Sequence, residues 1–253
     1  MKLSISDLAY AGFRYHDFCQ LPKTCGLEFF YEFGTPTYWD TVLPLMLEGR
    51  QNGVSVHGPC VQVNLAMDEN VRFLEVFLDT FQYAQKIGAE FVVVHTNESL
   101  PEEDSFILRQ RVVQKLALLL QLGKAMGVTP VIENVGLRPS GSLLFDREQF
   151  LELPQIFPEA GFLLDVGHAH VNGWNLAATV RALGHRLKGC HLHDNDGTGD
   201  QHQYLGNGTI QWAPFFEALK EKAPVARLVL EYAKLPPEGM AKHVESVRKE
   251  YGI

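Results

Sequence analysis

The residues best suited to chemistry are histidines and acids that stand at or just after the ends of short apolar runs. They are His57, His95, Glu133, Asp165, His168, His191, His193 and Glu231, with Asp200 and His202 in the loop after the seventh run. Imidazole nitrogens and carboxylate oxygens are common protein ligands of divalent metal ions. Buried carboxylates that face one another are costly unless a cation or protons lie among them. These residue types therefore predict a metal site, provided that the fold brings the segments together.

Eight short apolar or β-rich runs carry most of these residues. The runs cover residues 2–6, 26–32, 54–58, 90–96, 129–135, 161–168, 187–195 and 227–233. Continuous Val, Ile, Leu and Phe are typical of parallel strands that are buried on both faces. Segments with helical periodicity lie between the runs, most clearly at 68–88 and 102–127, where acids begin the helix and glycine ends it. Shorter helices are predicted after 146, 175, 211 and 236, and a first helix within 10–24.

Eight strand–helix units predict an α/β fold, a single-domain (β/α)8 TIM barrel over residues 1–253. An open, doubly wound sheet is the alternative, but it would usually carry a glycine-rich phosphate loop after its first strand. Residues 2–10 contain no such loop. In a TIM barrel the carboxyl ends of all strands meet at one mouth, so the candidate ligands are expected to converge there.

Strand periodicity orders some of these side chains. Glu133 shares a strand face with Val131, and Glu231 shares one with Val229. His191 and His193 are two residues apart and point the same way, with His191 deeper in the barrel. One of them is expected to be a ligand and the other a substrate contact, and periodicity does not say which. Carboxylates with one imidazole suit Mn, Mg, Co or Fe, whereas a histidine-rich shell suits Zn.

Composition narrows the class of protein. The net charge of −8 disfavours a general nucleic-acid binder, since phosphate contacts supply most of the affinity of such proteins. The four cysteines form no CxxC pair, which favours a reducing compartment. The amino-terminal residues show no signal-peptide pattern, and no apolar stretch reaches the ~20 residues of a membrane span. A cytoplasmic protein without a membrane partner is therefore expected.

Six strings carry a family resemblance. They are VHGPCVQVNL (56–65), VVVHTN (92–97), VIENV (131–135), LLDVGHAHVNGWNL (163–176), HLHDNDGTGDQHQYLGNGTIQW (191–212) and LVLEY (228–232). The chain resembles the xylose isomerase-like barrels, which include endonuclease IV and the sugar isomerases and epimerases. The resemblance implies that Glu133, Asp165, His191 and Glu231 hold a divalent metal ion. It also implies that the two glutamates form the acid/base pair on opposite faces of a sugar.

The resemblance to endonuclease IV extends to five further ligand types, which in that enzyme complete a three-zinc cluster. They match His57, His95, His168, Asp200 and His202. Sugar-isomerase-like members of the superfamily keep histidines of the His57, His168 and His202 type as substrate contacts. One to three ions are therefore expected. The glycine-rich turn and the DNA-contacting loop of the nuclease have no match in SDLAYAGFRYHDF (6–18) and YEFGTPTYWD (31–40).

The function predicted from these features is a metal-dependent isomerase or epimerase of a sugar or sugar phosphate. It would work by proton transfer through an enediolate, between Glu133 and Glu231. The alternatives are an endonuclease IV-like phosphodiester hydrolase and a sugar-acid or inosose dehydratase. A ligand-binding scaffold without turnover is disfavoured by the intact acids at 133, 165 and 231. The expected partner is a small carbohydrate, nucleic acid is disfavoured, and the oligomeric state is not predicted.

Aromatic residues near the strand ends are candidates for the walls of a sugar pocket. The candidates are Phe13, Tyr15, Trp39, Trp174 and Trp212. Trp212 is expected in the core, and Trp174, just after the sixth strand, is predicted to contact substrate together with His193. Arg14, Arg138 and Lys234 are available for a phosphate group, but none lies in a recognisable motif.

Overall fold

Eight parallel strands close into a barrel in chain order, with the first strand paired to the eighth. The computed structural model describes residues 1–12, 14–68 and 72–253. The strands are β1 (Lys2–Ser6), β2 (Gly26–Phe30), β3 (Val54–His57), β4 (Val92–His95), β5 (Pro130–Glu133), β6 (Gly161–Asp165), β7 (Leu187–Leu192) and β8 (Arg227–Leu230). Each lies within one of the predicted runs, so the predicted TIM barrel is confirmed.

Nine α-helices surround the barrel in the described residues. They are α1 (Tyr15–Cys19), α2 (Pro36–Leu47), α3 (Arg72–Ile87), α4 (Ser105–Met126), α5 (Arg147–Ile156), α6 (Val166–Val171), α7 (Leu176–Leu183), α8 (Trp212–Lys222) and α9 (Pro237–Tyr251). The four helices predicted after 146, 175, 211 and 236 begin at the next residue. The predicted start of α3 includes residues 69–71, which lie outside the described part. None of the described helices is long and apolar enough to cross a membrane.

Side-chain caps explain several helix starts. Asp146 and Gln149 form a capping box at α5, in which each side chain accepts a hydrogen bond from the other residue's backbone N–H. Asp104 caps α4, which ends at Gly127 in the left-handed conformation. For α4, the acids before the helix and the glycine after it are the sequence signals that predicted its two ends.

Two helices differ from the prediction. Helix α2 was not predicted, although Thr35 caps it and Pro36 fills its first position. Pro44 inside it removes a helical hydrogen bond and weakens the sequence signal. Helix α6 occupies residues predicted as the end of the sixth strand, because the Asp165 carboxylate accepts a hydrogen bond from the His168 N–H and starts a helical turn there.

The barrel interior is apolar on one side and polar on the other. Phe91, Val93, Val131 and Leu163 form a small apolar cluster separate from the main core between barrel and helices. Across from it, the Ser55 hydroxyl donates to Glu28, whose carboxylate contacts His191 on β7. Strands β2 and β7 are not neighbours, so this contact crosses the inside of the barrel.

The floor of the barrel is closed by a buried arginine. The Arg227 guanidinium donates to Ser4 Oγ, to the Asn52 carbonyl and to Glu90. Gly26 makes room for it, since a Cβ at that position would lie 2.7 Å from Arg227 Nη1. Polar residues thus fill the end of the barrel where the strands begin. The candidate ligands lie at the opposite end, the mouth.

Candidate metal centre

The deepest ligand group surrounds one ring nitrogen of His191. Its Nδ1 lies 3.0 Å from Glu133 Oε1, 3.5 Å from Glu231 Oε2 and 3.8 Å from Asp165 Oδ2. Strands β5, β6 and β7 supply three of these residues, and Glu231 follows β8 directly. All four are buried. The four residues assigned to the metal from the sequence therefore lie together at the mouth of the barrel.

The charges of this group depend on one another. Burial opposes the charged form of His191, but Glu231, Glu133 and Glu28 outweigh it and raise the pKa of the imidazole well above its usual range. Burial acts against the charged Glu133 carboxylate too, yet His191 and His95 hold its pKa well below the ordinary value. The pKa of Glu231 is raised, chiefly by burial. The two glutamates thus differ, with Glu133 ionised and Glu231 the more readily protonated.

A second group shares Glu133. His95 Nε2 lies 2.9 Å from Glu133 Oε2 and 3.2 Å from His57 Nε2, and His57 Nε2 is 3.9 Å from the same carboxylate oxygen. The outer nitrogens are held elsewhere, with His57 Nδ1 on the Gly58 carbonyl and His95 Nδ1 on Glu98. The two Nε2 atoms therefore point at each other and at Glu133.

A third group lies around Asp200. Asp200 Oδ2 is 3.0 Å from His202 Nε2 and 3.3 Å from His168 Nε2. The opposite nitrogens of these rings contact the carbonyls of Glu231 and Asn134. Burial opposes protonation of both rings, but Asp165 and Asp200 raise the pKa of His168 to about 10, and Asp200 and Glu231 raise that of His202 to about 9.

His193 links the first group to the third. Its Nε2 contacts both oxygens of Asp165 at 3.0 and 3.1 Å, and its ring stacks on His202 at 3.9 Å. Its Nδ1 is buried without a hydrogen-bond partner and lies 3.8 Å from Asp200 Oδ1. Gly167 is required beside it, because a Cβ there would come within 2.0 Å of the ring. His193 is thus placed to orient Asp165, and it does not line the cavity at the mouth.

The residues present fit divalent metal ions. Glu133 Oε2 is buried without a hydrogen-bond partner even though His95 Nε2 lies close to it. A buried carboxylate oxygen on which neighbouring imidazole nitrogens converge is typical of metal ligands. The first group offers three carboxylates and one imidazole, which suits Mn, Mg, Co or Fe, and the histidine-rich second and third groups suit Zn.

The loop that carries Asp200 and His202 is fixed by Asp194. Its carboxylate accepts hydrogen bonds from the backbone N–H of Gly206 and of Ile210 and from the Trp212 indole. Gly208 passes so close that a Cβ would lie 2.3 Å from Asp194 Oδ1. This explains why residue 208 is glycine and gives Trp212 a structural role in the core, as expected.

A cavity of about 370 Å³ opens above the three groups. Phe30 and Phe33 stack on each other at 4.7 Å, and Phe30 stacks on His57 at 3.8 Å, which forms an aromatic wall. Four carboxylates line the cavity, those of Glu98, Glu133, Asp200 and Glu231. No lysine or arginine lines it within the part of the chain that the structure describes.

The predicted substrate contact at Trp174 is not supported. This ring is 8% exposed, packs against Phe150 and belongs to the hydrophobic core. The turn after α6 carries it inward, since the Trp174 N–H donates to the Ala169 carbonyl. Trp39 is likewise in the core, Tyr15 packs against the core, and Phe13 lies outside the described residues. The aromatic wall formed by Phe30 and Phe33 was not predicted.

Comparison with known proteins identifies the family. Residues 46–250 match the family model described as a xylose isomerase-like TIM barrel. The chain belongs to this family. Among its relatives, the uncharacterized protein MJ1614 of Methanocaldococcus jannaschii is 26% identical over 180 residues, which are 70% of each chain.

Solved structures similar to this chain share the whole barrel. A D-tagatose 3-epimerase-like protein is 24% identical, with a TM-score of 0.78 over 99% of this chain and 97% of that one. The IolI protein with a bound zinc atom is 17% identical, also with a TM-score of 0.78, over 99% of this chain and 98% of that one. At these identities the likeness shows the fold that the xylose isomerase-like family shares.

Proposed function

We propose that the protein is a metal-dependent isomerase or epimerase of a small ketose or related polyol carbonyl compound. The observation that carries this proposal is the pair of buried glutamates on either side of the candidate metal position, with Glu133 Oε1 3.0 Å and Glu231 Oε2 3.5 Å from His191 Nδ1, and burial raises the pKa of Glu231 whereas His191 and His95 lower that of Glu133. Two carboxyl groups whose pKa values are pushed apart are suited to act as base and acid. The similarity to a D-tagatose 3-epimerase-like protein supports the same reaction class.

The residues of the site would have the following roles in the reaction. Glu133, Asp165, His191 and Glu231 would hold a divalent ion, which when bound acts as a Lewis acid for adjacent carbonyl and hydroxyl oxygens. Glu133 takes the proton from the carbon next to the carbonyl, which leaves an enediolate of the substrate. Glu231 returns a proton to carbon on the other side. His168 lines the cavity beside them and is available to a substrate hydroxyl.

The substrate proposed for this site carries no phosphate. Arginine and lysine are the side chains that usually pair with a phosphate group, and neither is among the described residues that line the cavity. Arg14, considered for this role from the sequence, is paired with Asp17 at 2.7 Å. The wall formed by Phe30 and Phe33 offers an apolar face to the C–H groups of a sugar.

Exchange of substrate hydrogen with solvent tests the proposal. The protein loaded with Mn²⁺ or Co²⁺ is incubated in deuterated water with matched pairs of free ketoses and their phosphates and with inososes, and NMR follows the C–H signals. We expect exchange for at least one unphosphorylated compound, and loss of exchange in both Glu133→Gln and Glu231→Gln. Net loss of water from a compound would identify a dehydratase. If both Gln variants exchanged at the wild-type rate, the two-glutamate mechanism would be wrong.

Phosphodiester hydrolysis is the second candidate, and the second and third ligand groups favour it. His57 and His95 face Glu133 Oε2, while His168 and His202 face Asp200, so the mouth offers donors for up to three ions. Cleavage of DNA that contains abasic sites, by protein holding about three zinc ions per chain and without C–H exchange on any sugar, would replace the isomerase proposal.

A further inference from the structure

Glu28 is a buried carboxylate inside the barrel that has no place in the predicted ligand set. It lies in the middle of β2, one layer below the mouth, and is fully shielded from solvent. Its Oε1 is 2.6 Å from His191 Nε2, and its Oε2 accepts a hydrogen bond from Ser55 Oγ at 2.7 Å. Both oxygens are therefore occupied, one by a candidate metal ligand and the other by a hydroxyl of the neighbouring strand.

A carboxylate in this position determines which nitrogen of His191 carries hydrogen. An ionised carboxylate only accepts hydrogen bonds, so the ring must present Nε2–H to Glu28. In the neutral ring the lone pair is then on Nδ1, the atom that faces Glu133, Asp165 and Glu231. The second oxygen of Glu28 accepts from Ser55 Oγ, so both oxygens act as acceptors and Nε2 is the donor in the contact with His191.

His191 is held more strongly than several of the other histidines at the mouth. Backbone carbonyls contact the outer nitrogens of His57, His168 and His202 at 2.9 to 3.2 Å. Hydrogen bonds to an ionised partner are shorter and roughly twice as strong as those between neutral groups. The one imidazole of the deepest ligand group is thus aligned by a charged acceptor from the opposite side of the barrel.

We infer that Glu28 is the positioning residue of the metal centre, which holds His191 in the Nε2–H form and aims Nδ1 at the ion, while Ser55 fixes the carboxylate. The inference rests on the metal site of the proposed function and not on the reaction. Loss of a carboxylate that orients a metal-binding histidine typically lowers metal affinity 10–100-fold.

The test uses Co²⁺ as the probe, with affinity from competitive titration and ligand geometry from the visible absorption spectrum. In Glu28→Leu we expect the affinity to fall 10–100-fold and the spectrum to change, since Nε2–H loses its acceptor. Glu28→Gln keeps an acceptor oxygen for Nε2–H and an amide donor for Ser55, so it is expected to restore most of the affinity and the wild-type spectrum. Ser55→Ala is expected to have a smaller effect than Glu28→Leu.

Glu32→Leu is the matched control. Its carboxylate accepts hydrogen bonds from the backbone N–H groups of Cys60, Val61 and Gln62 and touches no member of the deepest group. It is expected to lower the melting temperature of the metal-free protein and to keep the Co²⁺ spectrum. The inference would be overturned if Glu28→Leu kept the wild-type Co²⁺ affinity and spectrum. It would also be overturned if Glu28→Leu, Glu28→Gln and Glu32→Leu all lost Co²⁺ affinity equally. If the wild type itself bound no Co²⁺, the proposed metal centre would fail with it.

Discussion

Metal binding is predicted to release protons in a number that reports which ligand groups are filled. Nearby carboxylates outweigh burial and raise the pKa of four imidazoles at the mouth, so we expect these rings to be protonated near neutral pH in the metal-free protein. They are His191, His95, His168 and His202, whereas burial and the neighbouring His95 lower the pKa of His57 to about 4. A metal ligand must be neutral imidazole, so each protonated ring that binds an ion gives up its proton.

The structure sets the expected counts. Filling only the deepest group displaces the proton of His191, so about one proton per chain is released. Filling all three groups also displaces those of His95, His168 and His202, which makes about four, while His57 contributes none. Because the pKa of His168 is about 10, removing its proton at neutral pH costs about 4 kcal/mol. Metal affinity of the third group is therefore expected to rise steeply with pH.

Isothermal titration calorimetry in buffers of different ionisation enthalpy measures this number directly. Asp200→Asn is the matched variant, since it removes the carboxylate that raises the pKa of both His168 and His202. It is expected to leave the first proton unchanged and to reduce the later ones. Metal binding without any proton release in the wild type would refute the predicted displacement of protons from these imidazoles.

Three further predictions concern residues outside the ligand groups. Burial, with Glu28 and Glu231 nearby, raises the pKa of Asp7 from 3.8 to about 7, so the folded state binds more protons and its stability falls as pH rises between these values. In urea unfolding of the metal-free protein, Asp7→Asn should become more stable than wild type by up to about 4 kcal/mol at neutral pH, and a pH-independent difference would contradict this. Gly167→Ala places a methyl group against the His193 ring and is expected to lower the free energy of unfolding by about 1–3 kcal/mol and to weaken metal binding. An unchanged melting temperature would show that the His193 ring can move aside without cost. Trp174→Phe is expected to lower the melting temperature and to leave the substrate KM unchanged. An altered KM would indicate that Trp174 contacts the substrate after all.

The barrel was predictable because its local signals agree with its global arrangement. Strand runs such as that of β4 are continuously apolar, and helices such as α5 begin at an acid that caps them. The errors occur where one residue serves two elements. Asp165 ends β6 and also caps α6, so the apolar pattern of the strand continues into a helix. Helix α2 was missed since Pro44 interrupts its pattern.

The candidate ligands were predictable for a different reason. Parallel strands of a closed barrel end at one mouth, so residues as distant in sequence as His57 and Glu231 had to converge. Glu28 lies in the middle of a strand, and nothing at strand ends points to it. Its signal is a lone carboxylate in a strand otherwise made of apolar residues and glycine, which a buried strand tolerates only with a partner across the barrel. The position of Trp174 after a strand indicated the pocket, but sequence position does not reveal that the following turn carries the ring into the core.

The number of ions decides which chemistry this mouth can perform. Glu133 uses Oε1 toward His191 and Oε2 toward His95. With the deepest group alone filled, Oε2 holds no metal, and in the proposed mechanism it takes the proton from carbon. An ion held by His57 and His95 would occupy that oxygen and remove the base from the reaction. The proposed isomerisation would therefore require that the second group stay empty of metal, whereas the alternative hydrolysis would require that it be filled. The raised pKa of His95 in the metal-free site opposes binding of the second ion near neutral pH.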